Sequence, residues 1–346
     1  MIMRSKSILV VDPFEKMSKI LIEELNHLGY NVIPLFENKM RAFDYSSCSK
    51  WDKLKNIFYR SILKDNSYYN ILIEKFYRKY TEELLKDIIL KKNEIDYVLV
   101  FRPHGFSEKF CRLLNKLTPE ISLYEYDGLN DSRVLSLKKN QKYVKNVFLF
   151  ECTDLKKIPS SKFITNYHYN LSKSEGLNSI DFYYLGVESV GRIQKLDNLI
   201  NHTQQYVKKI LVQTSNASKA KNKQVEFITD AIDYKDYLED IKKTNAIIDI
   251  KAEKHNGLSF RFFEALNLEK KLITNNKSVV HYNFYHPDNI YITDFEDFDG
   301  LEEFLQKPYH PISPDIVKMY GLDNWIKNIF EIDDYIPIPN IPSLQK

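Results

Sequence analysis

The feature that most constrains this chain is residues 246–275, where the apolar pattern changes from strand to helix and back to strand. Ala246–Ile250 is a short, β-branched apolar run, which is typical of a buried strand. After a glycine turn, apolar residues recur at helical spacing: Leu258, Phe262, Ala265 and Leu266. Leu272–Thr274 then predicts a second strand, so the stretch predicts one βαβ unit with its polar groups at the turn.

Four polar or conformationally special residues fall at the start of the predicted helix, where ligands bind in open parallel sheets. Gly257 would let the backbone approach a ligand closely. Ser259 could cap the helix and bind an oxygen, and Arg261 could hold a phosphate through two parallel hydrogen bonds. Glu264 lies too far into the helix to cap it and could accept from sugar hydroxyls. The alternative is a capped helix with solvated charges.

The rest of the chain repeats this alternation in two blocks, and 346 residues exceed one ordinary core. The first block predicts a Rossmann-like domain over 1–170, without the Gly-rich fingerprint of dinucleotide binding. The second begins at Asp181 and predicts another such domain over 171–314, followed by a C-terminal helix and tail over 315–346. The principal strands predicted are Ser7–Val11, Tyr30–Leu35, Asp96–Phe101, Ile121–Tyr126, Lys145–Phe150, Asp181–Gly186, Lys208–Gln213 and Asn289–Thr293.

Composition excludes several classes of function. The 50 basic and 47 acidic residues nearly balance, so general nucleic-acid affinity is not expected. The three cysteines, Cys48, Cys111 and Cys152, are widely spaced, which suits a reducing compartment and forms no metal cluster. No apolar run reaches spanning length. We therefore expect a cytoplasmic protein, and contact with a membrane stays open.

Residues 40–93 are predicted to be helical, basic and aromatic. One helix face contains Trp51, Leu54, Phe58 and Ile62, with Lys50, Lys53, Lys55, Arg60 and Lys64 around it. Such a face could lie on an anionic bilayer. The alternative is an ordinary helix that packs its apolar face on the domain and exposes its basic side.

Several segments together resemble the RfaS-like proteins of lipopolysaccharide core biosynthesis, which are relatives of the CgeB-like glycosyltransferases. The family pattern reads roughly Gly-Leu-(Ser/Thr)-x-Arg-x-x-Glu, Lys-Lys-Leu-Ile-Thr-(Thr/Asn)-Asn, then Tyr-x-Phe-Tyr-x-x-x-Asn-Ile. The matching segments are Ile232–Leu238, Ala246–Ile250, Gly257–Leu266, Lys270–Asn275, Tyr282–Ile290, Phe182–Gly186 with Arg192, and Leu123–Asp127. In the last of these, Tyr126 and Gly128 replace the Trp and Ser that the family often has.

The resemblance implies an α/β fold of GT-B architecture, with two Rossmann-like domains facing a cleft. The first domain would receive the acceptor, and the second would bind a nucleotide-activated sugar through Gly186, Gly257, Leu258 and Ser259, with Arg192 and Arg261 on the phosphates. Glu264 would accept from ribose hydroxyls, as the second Glu of a Glu-x₇-Glu motif does in related retaining enzymes. The first Glu falls at Asn256, so the sequence does not choose between retention and inversion. GT-B enzymes generally need no bound metal, and no cofactor is expected beyond the nucleotide-sugar substrate.

Three residues at predicted strand ends of the first domain are candidates for catalysis of glycosyl transfer. Asp127 ends one strand and could act on the acceptor hydroxyl; the alternative is an Asx turn. His104 could be a general base, although a histidine between Pro103 and Gly105 also suits a structural role. Glu151 follows a third strand and is comparable.

Three functions fit these residues. The first is a glycosyltransferase that acts on a lipopolysaccharide, capsule or other surface-glycan acceptor, with possible peripheral contact at the cytoplasmic face of the inner membrane. The second is a non-catalytic GT-B protein that binds a nucleotide sugar or scaffolds a polysaccharide assembly system. The third is a nucleotide-sugar epimerase on the same architecture, which would convert the donor without any acceptor.

Overall fold

The computed structural model describes residues 5–12, 15–36, 43–65, 67–90, 94–172, 178–214, 223–251, 255–332 and 334–341. The chain divides into two compact units, one of residues 1–125 and 129–147 and the other of residues 126–128 and 148–346. Residues 148–170 and 315–346 therefore group with the second unit, whereas the sequence prediction assigns them to an N-terminal domain and a separate tail.

Eleven helices lie in the described ranges. They are α1 Glu15–His27, α2 Lys50–Ser61, α3 Ser67–Leu90, α4 Glu108–Leu114, α5 Asp131–Asn140, α6 Arg192–His202, α7 Tyr234–Lys242, α8 Phe260–Leu268, α9 Leu301–Gln306, α10 Pro314–Met319 and α11 Leu322–Phe330. None of those described is both long and apolar enough to cross a lipid bilayer.

Twelve strands within the same ranges form two six-stranded sheets. They are β1 Ser7–Asp12, β2 Asn31–Phe36, β3 Tyr97–Phe101, β4 Ile121–Glu125, β5 Asn146–Leu149, β6 Lys162–Phe163, β7 Ile180–Val187, β8 Lys208–Gln213, β9 Val225–Ile228, β10 Thr244–Asp249, β11 Lys271–Thr274 and β12 Ile290–Ile292.

The first sheet has the order β2-β1-β3-β4-β5-β6. β1 pairs in parallel with β2 and β3, and all six of its residues are buried. Burial on both faces is typical of a parallel sheet that is covered by helices on either side. This explains why β1 is a continuous apolar run rather than an alternating one.

The second sheet has the order β12-β11-β10-β7-β8-β9, and its neighbouring strands are parallel. Counted along the chain from β7, this is the order 3-2-1-4-5-6 of a doubly wound Rossmann sheet. The order reverses between β7 and β10, which pair through Ala246 with Phe182 and Ile247 with Tyr183. Ligands bind at such a reversal, beyond the carboxyl ends of the strands.

The predicted C-terminal helix is two helices, α10 and α11, with a break at Gly321. The Gly321 backbone is extended and bridges to His168. His168 donates its backbone N–H to the Tyr320 carbonyl, and its own carbonyl accepts from Leu322. The Trp325 indole donates to the Thr165 carbonyl at 2.8 Å. These backbone bonds interrupt one helical pattern and hold α11 within the second unit.

Candidate functional site

The polar groups of the second sheet converge at the carboxyl end of β10, around the Asp249 carboxylate. Asp249 is buried, and its Oδ1 accepts from Ser259 Oγ at 2.7 Å and from Arg261 Nη1 at 3.1 Å. Its Oδ2 accepts from Thr274 Oγ1 at 3.1 Å, at the end of β11. One carboxylate therefore ties together β10, β11 and the start of α8. Asp249 is the only acidic residue in the apolar run Ala246–Ile250, which is a sequence signal for this site that the candidate residues above do not include.

Ser259 occupies the N-cap position of α8 but does not cap the helix through its side chain. Its hydroxyl donates to Asp249 instead, so the predicted capping role is corrected. The neighbouring Leu258 is buried, and its carbonyl accepts from the Asn166 amide at 2.8 Å. Hydrogen bonds with Asn166 and Asp249 therefore hold Leu258 and Ser259, the two residues that precede α8.

Two arginines lie across the reversal between β7 and β10. Arg261 donates through Nη2 to the Leu185 carbonyl at the end of β7, and its guanidinium lies 5.7 Å from the centre of the Tyr184 ring. Arg192, the first residue of α6, donates to the Val187 carbonyl and, at 3.0 Å, to the Ile250 carbonyl. The two guanidinium groups therefore occupy the exits of the strands between which a doubly wound sheet binds its ligand.

Both arginines retain donor capacity for a ligand. A guanidinium has five N–H donors, and Arg261 uses its Nη atoms on Asp249 and Leu185 while 23% of its side chain stays exposed. The Asp249 charge raises the pKa of Arg261 above its ordinary value, against the effect of burial. Arg192 is partly exposed and donates once from each Nη, to Val187 and Ile250, so each Nη has a second hydrogen for a ligand.

The turn between β10 and α8 is held by Glu151. This carboxylate is buried; its Oε1 accepts from the Thr153 backbone and hydroxyl, and its Oε2 from the backbone N–H groups of Asn256 and Gly257. In this structure Glu151 therefore supports the turn, and its catalytic role stays a prediction. From the other side, the Asn276 amide donates to the carbonyls of Asn256 and Gly257 at 3.1 and 3.3 Å.

Glycines at the site make room for aromatic rings of the protein itself. A Cβ on Gly257 would lie under 3.0 Å from three carbons of the Phe150 ring. A Cβ on Gly186 would lie equally close to the Tyr184 hydroxyl. The structure therefore shows a close approach of Gly257 to Phe150, and the close approach of a ligand to this glycine stays a prediction.

Glu264, for which the sequence predicts a contact with ribose hydroxyls, is buried inside the second unit. Its two oxygens accept from the hydroxyls of Tyr234 and Tyr237 on α7. In this structure the buried carboxylate binds these two tyrosines, and the ribose contact stays a prediction. Glu264 thus fastens α8, and with it Arg261, to α7.

Stability should reveal the buried state of Glu264 through its pH dependence. Burial raises the pKa of Glu264 above 4.5, against the lowering effect of the two tyrosine hydroxyls. The folded-state pKa of Glu264 is therefore higher than its pKa in the unfolded chain. Below the unfolded-state pKa, the protonated carboxyl makes its full contribution to folding stability. This contribution is lost as the pH rises through the folded-state pKa. We expect Glu264→Gln, which does not titrate, to gain stability relative to wild type as pH rises from acidic to neutral.

The measurement is chemical denaturation of both proteins over that pH range, with exposed Glu83→Gln as the control variant. A difference between wild type and Glu264→Gln that stays constant with pH would contradict this interpretation. A selective loss of nucleoside affinity in Glu264→Gln would support the predicted ribose contact.

His255 follows β10 and lies among the charges of the site. Its ring is 5.0 Å from the Phe150 ring, and its Nδ1 is buried without a hydrogen-bond partner in the described part of the chain. Burial lowers the pKa of His255, while the nearby charges of Glu151, Asp127 and Asp249 raise it. A lowered pKa favours the neutral imidazole near pH 7, the form that can accept a proton.

The other two predicted catalytic residues lie in different units. Asp127 is partly buried, groups with the second unit and is close enough to influence His255. His104 lies in the first unit, at the exit of β3, and its Nδ1 contacts the buried carboxylate of Glu125 at the end of β4. Neither placement tests a catalytic role, and both stay predictions. The described residues contain no group of three or more His, Cys, Asp or Glu that could hold a metal ion.

Comparison with solved structures finds likeness over nearly the whole chain. Sucrose-phosphate synthase from Thermosynechococcus elongatus aligns with a TM-score of 0.56 and 10% identity, covering 92% of this chain and 96% of the synthase. The N-terminal domain of Candida albicans trehalose-6-phosphate phosphatase aligns with a TM-score of 0.53 and 10% identity, covering 94% and 96%. UDP-GlcNAc 2-epimerase from Methanocaldococcus jannaschii aligns with a TM-score of 0.47 and 13% identity, covering 95% and 99%. No protein-family model and no curated protein matches the sequence.

Likeness at these identities shows the fold and not the activity. The narrower resemblance to RfaS-like proteins therefore stays a prediction. The two parallel six-stranded sheets, together with the first two alignments, confirm the predicted fold class: the chain is an α/β protein with the two-domain GT-B fold.

Proposed function

We propose that this chain is a glycosyltransferase of the GT-B type that takes its sugar from a nucleotide-activated donor. The observation that supports the proposal best is the pair of arginines, Arg192 and Arg261, across the reversal between β7 and β10. Departure of a nucleoside diphosphate develops negative charge, which preorganised guanidinium groups stabilise. We assign the donor phosphates to these two side chains.

The donor-binding set that we propose also includes the turn that positions Arg261. Asp249 and Glu151 fix this turn through charged hydrogen bonds, and Gly257 lets it pack on Phe150. Preorganisation of this kind lets an active site stabilise a transition state without moving its dipoles during the reaction. The transfer would need no bound metal, because the arginines supply the positive charge.

The acceptor that we propose is a lipopolysaccharide, capsule or other surface glycan at the cytoplasmic face of the inner membrane. This assignment rests on the resemblance of Gly257–Leu266 and the flanking segments to the RfaS-like proteins. The test is to incubate the purified chain with a panel of nucleotide sugars, alone and with a lipid extract, and to follow nucleotide release. Absence of binding to every nucleotide by the folded protein would reject the proposal.

A second candidate is a non-catalytic nucleotide-sugar-binding protein. The observation that favours it is that Glu151, one of the three catalytic candidates, is buried and uses both oxygens to accept hydrogen bonds from the protein itself. Nucleotide binding without turnover in any acceptor mixture would support this function. An isomerised donor sugar formed without acceptor would instead indicate an epimerase.

If Asp127 acts on the acceptor hydroxyl, Asp127→Asn should lower turnover by about a hundredfold or more, the usual contribution of acid–base catalysis. Asn preserves the size and turn-forming ability of Asp but removes the charge. Donor affinity and melting temperature should stay close to wild type. Turnover near wild type would identify Asp127 as a turn residue and make His104 and His255 the next candidates. Exposed Asp131→Asn is the matched control.

A further inference from the structure

The amphipathic helix α2 is folded with its apolar side outward. Six large apolar side chains of residues 50–64 are between 48% and 75% exposed, and they are Trp51, Leu54, Ile57, Phe58, Ile62 and Leu63. We call these six the outer face. The packed alternative for Trp51, Leu54, Phe58 and Ile62 is therefore wrong, because these side chains are not covered by the domain.

The opposite side of α2 faces α3 and is mostly polar, apart from Tyr59, whose ring stacks on Tyr68 of α3. Asn56 is buried and donates to the Tyr45 hydroxyl at 3.1 Å. Asp52 accepts from Lys75 at 2.8 Å and from the Tyr68 hydroxyl at 3.1 Å. Hydrogen bonds thus hold the helix on the unit by its polar side, which fixes the outer face in its exposed orientation. A helix that packed for burial alone would have the reverse arrangement.

The charges around the outer face are almost all positive. Residues 50–64 contain five basic residues and one acidic residue, for a net charge of 5 − 1 = +4. The acidic residue, Asp52, forms an ion pair with Lys75 of α3 and is only 15% exposed. Among the basic residues, Lys53 is tied to the Ser46 carbonyl at 2.6 Å, and the exposed ones are Lys50, Lys55, Arg60 and Lys64.

We propose that the outer face of α2 is a docking surface for an anionic phospholipid bilayer. Apolar side chains would enter the boundary between headgroups and acyl chains, while the long basic side chains reach back to the lipid phosphates. Trp51 suits this depth because its ring combines an apolar body with a polar N–H. The excess of cations matches the negative surface of an inner leaflet.

The inference depends on the proposed function only in the choice of an inner-leaflet bilayer as the membrane. The surface belongs to the first unit, whereas the arginines assigned to the donor belong to the second. Vesicle binding and nucleotide binding can therefore fail separately, and each is measured on the same protein samples.

The experiment is co-sedimentation of the full chain with vesicles of phosphatidylcholine, with and without phosphatidylglycerol. We expect binding to the anionic vesicles, weakened by added salt, and much less binding to the neutral ones. The double variant Trp51→Ser/Phe58→Ser should bind anionic vesicles at least about tenfold more weakly. Its matched control is Leu135→Ser/Val207→Ser, which removes two exposed apolar side chains elsewhere and should bind like wild type.

The charge contribution is tested by a triple variant, Lys50→Gln/Lys55→Gln/Arg60→Gln. It should lose about tenfold or more in affinity for anionic vesicles. The control Lys116→Gln/Lys138→Gln/Lys139→Gln removes the same charge from other exposed positions. All variants should stay folded at the assay temperature, because the changed side chains are exposed.

Three results would overturn the proposal. One is a wild-type chain that does not bind anionic vesicles, and another is a Trp51→Ser/Phe58→Ser variant that binds them as well as wild type does. The third is self-association of the wild type, measured by sedimentation velocity, that the same double variant abolishes while vesicle binding persists. That result would assign the outer face to a second copy of the chain.

Discussion

Replacement of Arg261 by alanine should raise the dissociation constant for a nucleotide donor at least about tenfold, since a hydrogen bond from a charged group to phosphate contributes about 1.5–3 kcal/mol. The same change should lower the free energy of unfolding by about 3 kcal/mol, because it leaves a buried carboxylate without its partner. That carboxylate is Asp249, whose side chain is only 4% exposed. Calorimetry measures the first effect and chemical denaturation the second.

A second substitution separates the two roles of Arg261. In Arg261→Ala/Asp249→Asn the unpaired buried charge is gone, while the amide oxygen of Asn can still accept from Ser259 or Thr274. We expect this double variant to recover part of the lost stability but none of the lost nucleotide affinity. Arg112→Ala, which removes an exposed arginine of the first unit, is the control for both measurements.

Recovery of nucleotide affinity together with stability would contradict the phosphate assignment. Arg261 would then act only by holding α8 to β7 and β10. Arg261→Lys adds a third comparison: it retains the charge but not the planar fork that can contact two oxygens at once. Affinity close to wild type in Arg261→Lys would show that charge alone is enough.

The sequence was sufficient to predict most of the second sheet. Most of its strands are short, largely apolar runs, as Ala246–Ile250 is, and such runs are the strongest local signals. The position of Arg261 at the start of α8 followed from the same pattern. The order of the strands is set by long-range pairing, yet a repeated βαβ alternation leaves few topologies to choose from.

Helix α5, Asp131–Asn140, was missed because its apolar residues are few and give a weak helical period. Its N-terminus did have a signal: the Asn130 side chain accepts from the Arg133 backbone at 3.0 Å, which is an N-cap. Asp131 at the start of the helix and Lys138 and Lys139 at its end also suit the helix dipole.

The roles of Glu151 and Glu264 were not predictable from local sequence. Glu151 binds the backbone of Gly257, 106 residues further along the chain, and Glu264 binds a tyrosine 30 residues before it. Such contacts depend on tertiary packing, which no residue spacing reveals. The position of Glu151 after a strand therefore suggested catalysis, whereas in the structure its carboxylate accepts hydrogen bonds from buried backbone N–H groups.

Gly257→Ala should destabilise the turn before α8 strongly. The new Cβ would lie under 3.0 Å from three carbons of the Phe150 ring, which is itself buried. Overpacking of this kind typically costs about 1–3 kcal/mol. Because the turn at Gly257 also positions the start of α8, nucleotide affinity should fall with stability. Thermal and chemical denaturation measure the first effect and calorimetry the second.

The control is Gly105→Ala, since a Cβ at Gly105 would meet no atom within 4 Å. Alanine there restricts the unfolded chain without a clash, so stability should stay the same or rise slightly. Combining Gly257→Ala with Phe150→Leu should restore part of the loss, because the smaller side chain vacates the space that the ring occupied. Equal destabilisation of the single and double variants would mean that the ring is not the obstacle. The requirement for glycine would then come from a ligand that approaches the turn, as the sequence alone suggests.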